Sequence, residues 1–305
     1  MCMFLRVVTA ALVVGLGNAS VGAAKLEGAI KIDGSSTVAP ISEAVAEEFN
    51  KIEPKVRLSV GVSGTGGGFK KFTAGEIDIS DASRPIKESE KQIAKEKGIE
   101  FVELAVAYDA LTIVVHKDNN WVDHLTVAEL KKMWMPESKV KTWKDVRATW
   151  PARDIKLFGP GTDSGTFDYF TEAINGKAQV SRNDFTKSED DNMLVQGVGG
   201  SKDGLGYFGF AYYEGNKAKL KAVPIDGGKG PVMPSDETIK NNKYAPLGRP
   251  IFIYVSKKAV KRPEVVQFVE FYLKNAAKLS KQVGYTPLEN SKYTSELEKF
   301  MKFTK

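Results

Sequence analysis

One local pattern recurs four times along this 305-residue chain and constrains its fold more than any other feature. A short apolar run ends in a turn of glycine, aspartate and small hydroxyl residues, and the turn gives way to a helical pattern. The first copy is Ala29-Ile30-Lys31-Ile32, then Asp33-Gly34-Ser35-Ser36-Thr37, then apolar Ile41, Val45 and Phe49 at helical spacing. In the second, the alternating run Val56 to Val62 meets Ser63-Gly64-Thr65-Gly66-Gly67-Gly68 before a short helix at Phe69 to Phe72. The third passes from Ile77-Asp78-Ile79 through Ser80-Asp81-Ala82-Ser83-Arg84-Pro85 to a charged helix from Lys87 to Lys97. The fourth runs from Ile155-Lys156-Leu157-Phe158 through Gly159 to Thr166 into a helix from Phe167 to Ile174. Strands alternating with helices predict an α/β architecture with mixed, mostly parallel sheets. No tandem period of 20–50 residues is visible, which argues against a solenoid.

Two further apolar stretches set the domain organisation. Glu103 to Val115 is too long for one ordinary strand and is interrupted by Tyr108-Asp109, which predicts one strand leaving a first domain and another entering a second. Pro250 to Ser256 reads as the return crossing, and Pro263 to Val283 as an amphipathic helix docking back on the first domain. Domain I is therefore expected to comprise residues 25–107 and 250–305, and domain II residues 108–249. A ligand site belongs in the cleft between them, at the carboxyl ends of the strands. Ahead of both, Arg6, the apolar run Val7 to Leu16 and Val21-Gly22-Ala23-Ala24 predict a cleavable secretory signal peptide over residues 1–24. That run is shorter than the roughly 20 apolar residues a spanning helix needs. The expected location is the bacterial periplasm.

Composition removes several chemistries. The single cysteine, Cys2, lies in the leader, and two histidines cannot complete a Cys/His zinc site, so neither metal, cofactor nor thiol catalysis is expected. The formal net charge of +6 favours anions, but Lys and Glu are interspersed and no nucleic-acid-binding signature is present. Gly64 to Gly68 lacks the Gly-Lys-Ser/Thr ending of a nucleotide-binding loop, and Gly161-Thr162-Asp163-Ser164-Gly165 is not a Gly-x-Ser-x-Gly nucleophile elbow. His116 and His124 stand away from all four turns. Glu189-Asp190-Asp191 reads as helix capping rather than as a cation site. Trp121, Trp134, Trp143 and Trp150 fall in the second domain and are expected in its core.

What the turns share is anion chemistry. Unpaired N–H groups at a helix start, aided by the helix dipole and by Ser or Thr hydroxyls, form a ready oxyanion site. Each turn alone is also an ordinary cap; four together, with no nucleophile and base elsewhere, point to one shared oxyanion ligand.

The residues then carry a resemblance. Asp33-Gly-Ser-Ser-Thr-Val-Ala-Pro40, Ser63-Gly-Thr-Gly-Gly-Gly-Phe69, Asp78-Ile-Ser-Asp-Ala-Ser-Arg-Pro85, Gly161-Thr-Asp-Ser-Gly-Thr-Phe167 and Gly284-Tyr-Thr-Pro-Leu288, in this order and spacing, resemble the PstS-type phosphate-binding proteins of bacterial phosphate ABC importers. The extended Gly-Pro-Gly-Thr-Asp-Ser-Gly-Thr-Phe form is similar to the cyanobacterial branch. The resemblance covers essentially the whole mature chain. It implies a two-domain, hinged periplasmic binding fold of type II, a monomer, with inorganic phosphate in the cleft and a membrane permease as partner. It further implies that Ser36, the Thr37 backbone and Ser63 donate to phosphate, that Asp81 accepts from it, and that Ser164, Gly165 and Thr166 form the second domain's donor loop. Thr65 is the alternative to Ser63. Many relatives place an arginine four residues before the Ser of Ser-Gly-Thr, where this chain has Pro160, so Arg84 is expected to supply the cation. Phosphate near neutral pH keeps a P–OH proton for the Asp81 carboxylate, whereas sulfate has none to give. A buried acceptor left unpaired in this way can reject the analogue by roughly 10⁴–10⁵-fold. The competing expectations are a receptor for sulfate, molybdate or a phosphonate, a secreted phosphatase-like hydrolase, and an adhesion protein that keeps the fold.

Overall fold

The computed structural model describes residues 26–162, 164–188 and 190–305. The expected signal peptide, Asp163 of the fourth turn and Glu189 lie outside the described residues. The strands are β1 (Gly28–Gly34), β2 (Val56–Gly61), β3 (Ile79–Ala82), β4 (Phe101–His116), β5 (Leu125–Thr126), β6 (Lys156–Gly159), β7 (Thr186–Lys187), β8 (Gly204–Gly209), β9 (Leu220–Ala222), β10 (Ile225–Asp226), β11 (Pro231–Val232) and β12 (Gly248–Ser256). Between them run α1 (Ala39–Ile52), α2 (Gly64–Thr73), α3 (Glu88–Glu96), α4 (Val127–Trp134), α5 (Trp143–Val146) and α6 (Gly165–Phe170), which continues as a π-helical turn, Thr171–Asn175. Next come α7 (Asp191–Gly199), α8 (Phe210–Glu214) and α9 (Asp236–Lys240), and after β12 the chain closes with α10 (Pro263–Gln282) and α11 (Asn290–Thr304). Among the described residues no helix is long and apolar enough to cross a membrane.

The fold is two-domain α/β. One continuous sheet takes the order β2-β1-β3-β12-β4-β8-β6-β7, with β9 also on β4, and a small sheet orders as β11-β10-β5. Pairing is parallel inside each half, β1 with β2 and β3 and β6 with β7 and β8. It is antiparallel where β4 and β12 join the halves. Glu103 to Val115 is not two strands but the body of a single one. The polar pair Tyr108-Asp109 causes no break because it stays in register, Tyr108 opposite Pro250 and Asp109 opposite Arg249. The first part of β4 pairs with β12 and its end with β8 and β9, so one strand serves both halves.

The third turn also differs from its sequence reading. Ser80 and Asp81 belong to β3, because Asp81 pairs with Gly34 of β1 on one side and Ile253 of β12 on the other. In α2 the glycine run is itself helical. A Cβ on Gly68 would lie 2.6 Å from Gly34 Cα and 2.8 Å from Ser80 Oγ, so the bare backbone is what lets α2 lie flush on β1 and β3.

The core follows the apolar periodicity. Ile41, Val45 and Phe49 of α1 are buried, and Phe49 meets Phe268 and Phe271 of α10 edge-on at 5.4 Å each. Each such side chain contributes roughly 1.5–3 kcal/mol on burial. Thus α10 docks against the first helix, bringing the C-terminal segment to the same half as the start of the described chain. Tyr293 of α11 donates to Val106 O of β4 at 2.7 Å. Thr286, in the late Gly-Tyr-Thr-Pro-Leu motif, exchanges backbone hydrogen bonds with Tyr108 of β4. Trp134, Trp143 and Trp150 are core residues of the other half and Trp121 is half-buried against them: Trp143 packs edge-on against Trp121 and Trp150, and Trp134 packs against Phe170, Phe185 and Tyr207.

Candidate functional site

The turns at the carboxyl ends of β1 and β3 and the start of α2 face α6 across a cavity of about 310 Å³. Gly34 makes the first turn possible: its φ is 147°, and a Cβ there would lie 2.1 Å from Asp81 O. The chain then doubles back so that Ser35 N–H donates to Asp81 O at 2.9 Å, and Ser35 Oγ accepts from Thr37 N–H at 3.2 Å. Ser36 and Thr37 both line the cavity. Each also crosses to the other half. Ser36 Oγ donates to Asp168 Oδ2 at 2.9 Å, and Thr37 Oγ1 donates to Gly165 O at 3.3 Å.

In the second turn the two hydroxyls part. Ser63 points to Asp33, with Oγ and N donating to Oδ1 at 2.5 and 3.1 Å. Asp33 also holds Lys71 Nζ at 2.5 Å. Burial works to raise the Asp33 pKa, but the Lys71 and Ser63 bonds outweigh it and leave the carboxylate below its ordinary range. Thr65, not Ser63, lines the cavity, and its hydroxyl shares a hydrogen bond with Ser83 Oγ at 2.9 Å.

Asp81 lies beneath this floor rather than in the cavity lining. It is fully buried; Oδ1 accepts from Ser42 Oγ of α1 at 3.0 Å, and Oδ2 has no hydrogen-bond partner among the described residues. Burial pushes its pKa up to about 8, against the downward pull of the Ser42 hydroxyl. Arg84 does border the cavity, but its fork is occupied: Nη1 and Nη2 reach the two oxygens of Glu90 at 2.9 and 2.8 Å.

The fourth turn packs rather than lines. Ser164 Oγ caps α6 by accepting from Thr166 N–H at 3.2 Å. Gly165 abuts the first turn so closely that a Cβ would lie 2.9 Å from Ser36 C, Ser36 O and Thr37 N. Of the expected site residues, the cavity therefore gathers Ser36, Thr37 and Arg84. Gly165 touches Ser36 and Thr37 without lining the cavity, and Ser63, Asp81, Ser164 and Thr166 also stand outside the lining.

Sequence reasoning missed Asp168, Tyr169 and Glu172 of the α6 segment, and Arg249 at the start of β12, all of which line the cavity. Asp168 Oδ1 is buried without a hydrogen-bond partner among the described residues. Its signal was weak, since an acid in a helix's first turn reads as dipole chemistry. Arg249 had a clearer one: a charge immediately ahead of the apolar crossing read at Pro250 to Ser256. The histidines lie elsewhere. His116 ends β4 and accepts from Asp118 N–H at 3.1 Å, and His124 contacts Asp123.

A mixed sheet in two halves with a polar cavity between them defines a solute-binding architecture. The chain belongs to the PBP superfamily, whose domain model matches residues 19–276. It is 53% identical over 274 residues to Protein SphX of Synechococcus elongatus, covering 89% of this chain and 81% of that protein. It is 43% identical over 282 residues to the phosphate-binding protein PstS of Staphylococcus haemolyticus, covering 92% and 87%. In structure it is similar to a possible phosphate binding protein from Planctomyces limnophilus, with a TM-score of 0.90, 51% identity, and coverage of 92% of this chain and 100% of that one.

Proposed function

We propose that this protein is a periplasmic receptor that captures inorganic phosphate by closing two domains around it and delivers it to the permease of an ABC importer. The observation that carries this is the cavity itself, lined by the hydroxyls of Ser36, Thr37, Thr65 and Ser83 together with the guanidinium groups of Arg84 and Arg249. These four hydroxyl-bearing and two guanidinium-bearing residues around one cavity favour an anion with several acceptor oxygens over an apolar solute. The names of the PstS relatives support the same ligand. On this reading residues 25–107 and 250–305 form one domain and 108–249 the other, the receptor is a monomer, and it is no enzyme. Ser36, Thr37, Ser164, Gly165 and Thr166 close on the anion from two sides. Ser63 or Thr65 supplies the second-turn hydroxyl, with Thr65 favoured by its place in the cavity. Arg84 adds positive field at the rim. In its ionised form Asp81 accepts a hydrogen bond from the P–OH group through Oδ2, which has no hydrogen-bond partner among the described residues.

The test is calorimetric titration of the mature protein, stripped of carried-over ligand by reversible unfolding, with phosphate in the presence and absence of excess sulfate. Saturable one-to-one phosphate binding is expected, untouched by sulfate above about pH 8 where Asp81 is ionised, together with no turnover of a chromogenic phosphate ester. Displacement by sulfate at that pH would redirect the assignment to another oxyanion, and ester turnover would make the protein a hydrolase.

A further inference from the structure

We propose that Arg249, carried by the crossing strand β12, is the guanidinium that holds the oxyanion, and that Asp109 on the facing strand β4 is the counter-ion competing for it. This rests on the anion-receptor reading above and adds to it a residue that none of the four turns contains. Arg249 lines the cavity with its side chain 18% exposed. The guanidinium lies over the Tyr169 ring, Cζ 3.4 Å from the centroid, and that ring is itself anchored by Tyr169 OH donating to Pro246 O at 2.8 Å. Stacking of this kind fixes the plane of the fork while leaving its edge free to donate.

The edge is where the two cavity arginines differ. Arg84 spends both Nη groups on Glu90 at hydrogen-bond distance. Around Arg249 the carboxylates stand off: Nε is 3.9 Å from Asp109 Oδ2, and Nη1 is 3.6 Å from Glu172 Oε2. Both distances exceed the 2.7–3.2 Å typical of an N–H···O bond. Arg249 Nε and Asp109 Oδ2 are each buried without a hydrogen-bond partner among the described residues. Arg249 lines a polar cavity while its guanidinium has no partner at hydrogen-bond distance among the described residues, and an oxyanion accepting from two of its N–H groups in parallel would complete it. The strand pairing that places Arg249 opposite Asp109 roots its backbone in the crossing strands, and the Tyr169 ring of α6 then sets the plane of the guanidinium.

The experiment measures binding of phosphate, sulfate, arsenate and molybdate to the mature protein and to Arg249→Lys and Asp109→Asn, with circular dichroism and melting curves on each. Arg249→Lys is expected to lose on the order of 10- to 100-fold in affinity for whichever anion the parent binds, as fits the loss of a charged hydrogen-bonded contact. Asp109→Asn, which removes the competing charge with little change of shape, is expected to bind that anion about threefold more tightly or better. A structural role for the pair would not produce opposite signs. Arg249→Lys binding like the parent overturns the proposal. Should Arg249→Lys fail to fold, Asp109→Asn decides alone, and unchanged or weaker binding by it overturns the proposal. A parent that binds sulfate in place of phosphate, with the same loss in Arg249→Lys, would sink the phosphate assignment and uphold Arg249. A parent that binds none of the four anions overturns both.

Discussion

Asp81 is where protonation and ligand choice meet. With its carboxyl pushed up to about 8 by burial, it is protonated at neutral pH and can donate to sulfate as readily as to phosphate. Discrimination through this residue therefore requires the carboxylate, and sulfate should compete less well as pH rises through about 8. Asp81→Asn should abolish that pH dependence in competition binding. If sulfate competition ignores pH in the parent, and Asp168→Asn erodes the phosphate preference instead, the proton is read by Asp168. The same shift governs stability. The ordinary value is 3.8 and the folded value about 8, so between these limits the folded state binds the extra proton. Stability from this group is complete below about pH 4, declines as pH rises at about 1.4 kcal/mol per unit at most, and levels off above about 8. Urea midpoints from pH 5 to 9 should fall more steeply in the parent than in Asp81→Asn; parallel curves would place the Asp81 proton elsewhere.

At the level of elements, α2 shows how packing overrides propensity. Glycine costs a helix about 1 kcal/mol relative to alanine, so four glycines among the five residues 64–68 read as a turn from sequence. The run is helical because Gly68 faces Gly34 Cα, Ser80 Oγ and Asp33 O, all at 3.0 Å or less from where a Cβ would stand. Gly68→Ala should therefore destabilise by about 1–3 kcal/mol despite its better propensity. Gly66→Ala, whose Cβ meets nothing within 4 Å, should stabilise by about 0.5–1 kcal/mol. Denaturant midpoints at constant m-value separate the two, and matching shifts would refute the packing argument. The same contrast explains what the sequence made legible. Local periodicity was enough for α1, for β12 and for α10. Long-range pairing was not visible: Ser80-Asp81 looked like a turn because neither flanking strand can be inferred from it. The Asp109–Arg249 juxtaposition depends on strand register between segments far apart in sequence. The hydroxyl turns announced an anion site, but which hydroxyl faces inward was settled by the Asp33 carboxylate drawing Ser63 away.

For the whole molecule the question is how the halves come together. β4 and β12 tie them at one edge of the cleft, and the first turn meets α6 across it through Ser36 to Asp168 and Thr37 to Gly165. The tightest of these approaches is Gly165, since the three atoms nearest its missing Cβ are backbone and cannot swing aside as a flexible side chain would. A methyl group there acts as a wedge between the lobes without entering the core of either. The parent's radius of gyration in small-angle scattering should fall when phosphate saturates it, because lobe closure is how such receptors enclose a ligand. Gly165→Ala should keep a larger radius at the same phosphate concentration and bind on the order of tenfold more weakly or worse. Its ligand-free melting temperature should stay within about 2 °C of the parent, because with the lobes apart the added methyl at the helix start no longer meets the Ser36–Thr37 backbone. If Gly165→Ala contracts like the parent, the lobes do not close through this contact. If the parent's scattering is indifferent to phosphate, ligand capture does not proceed by hinge closure at all.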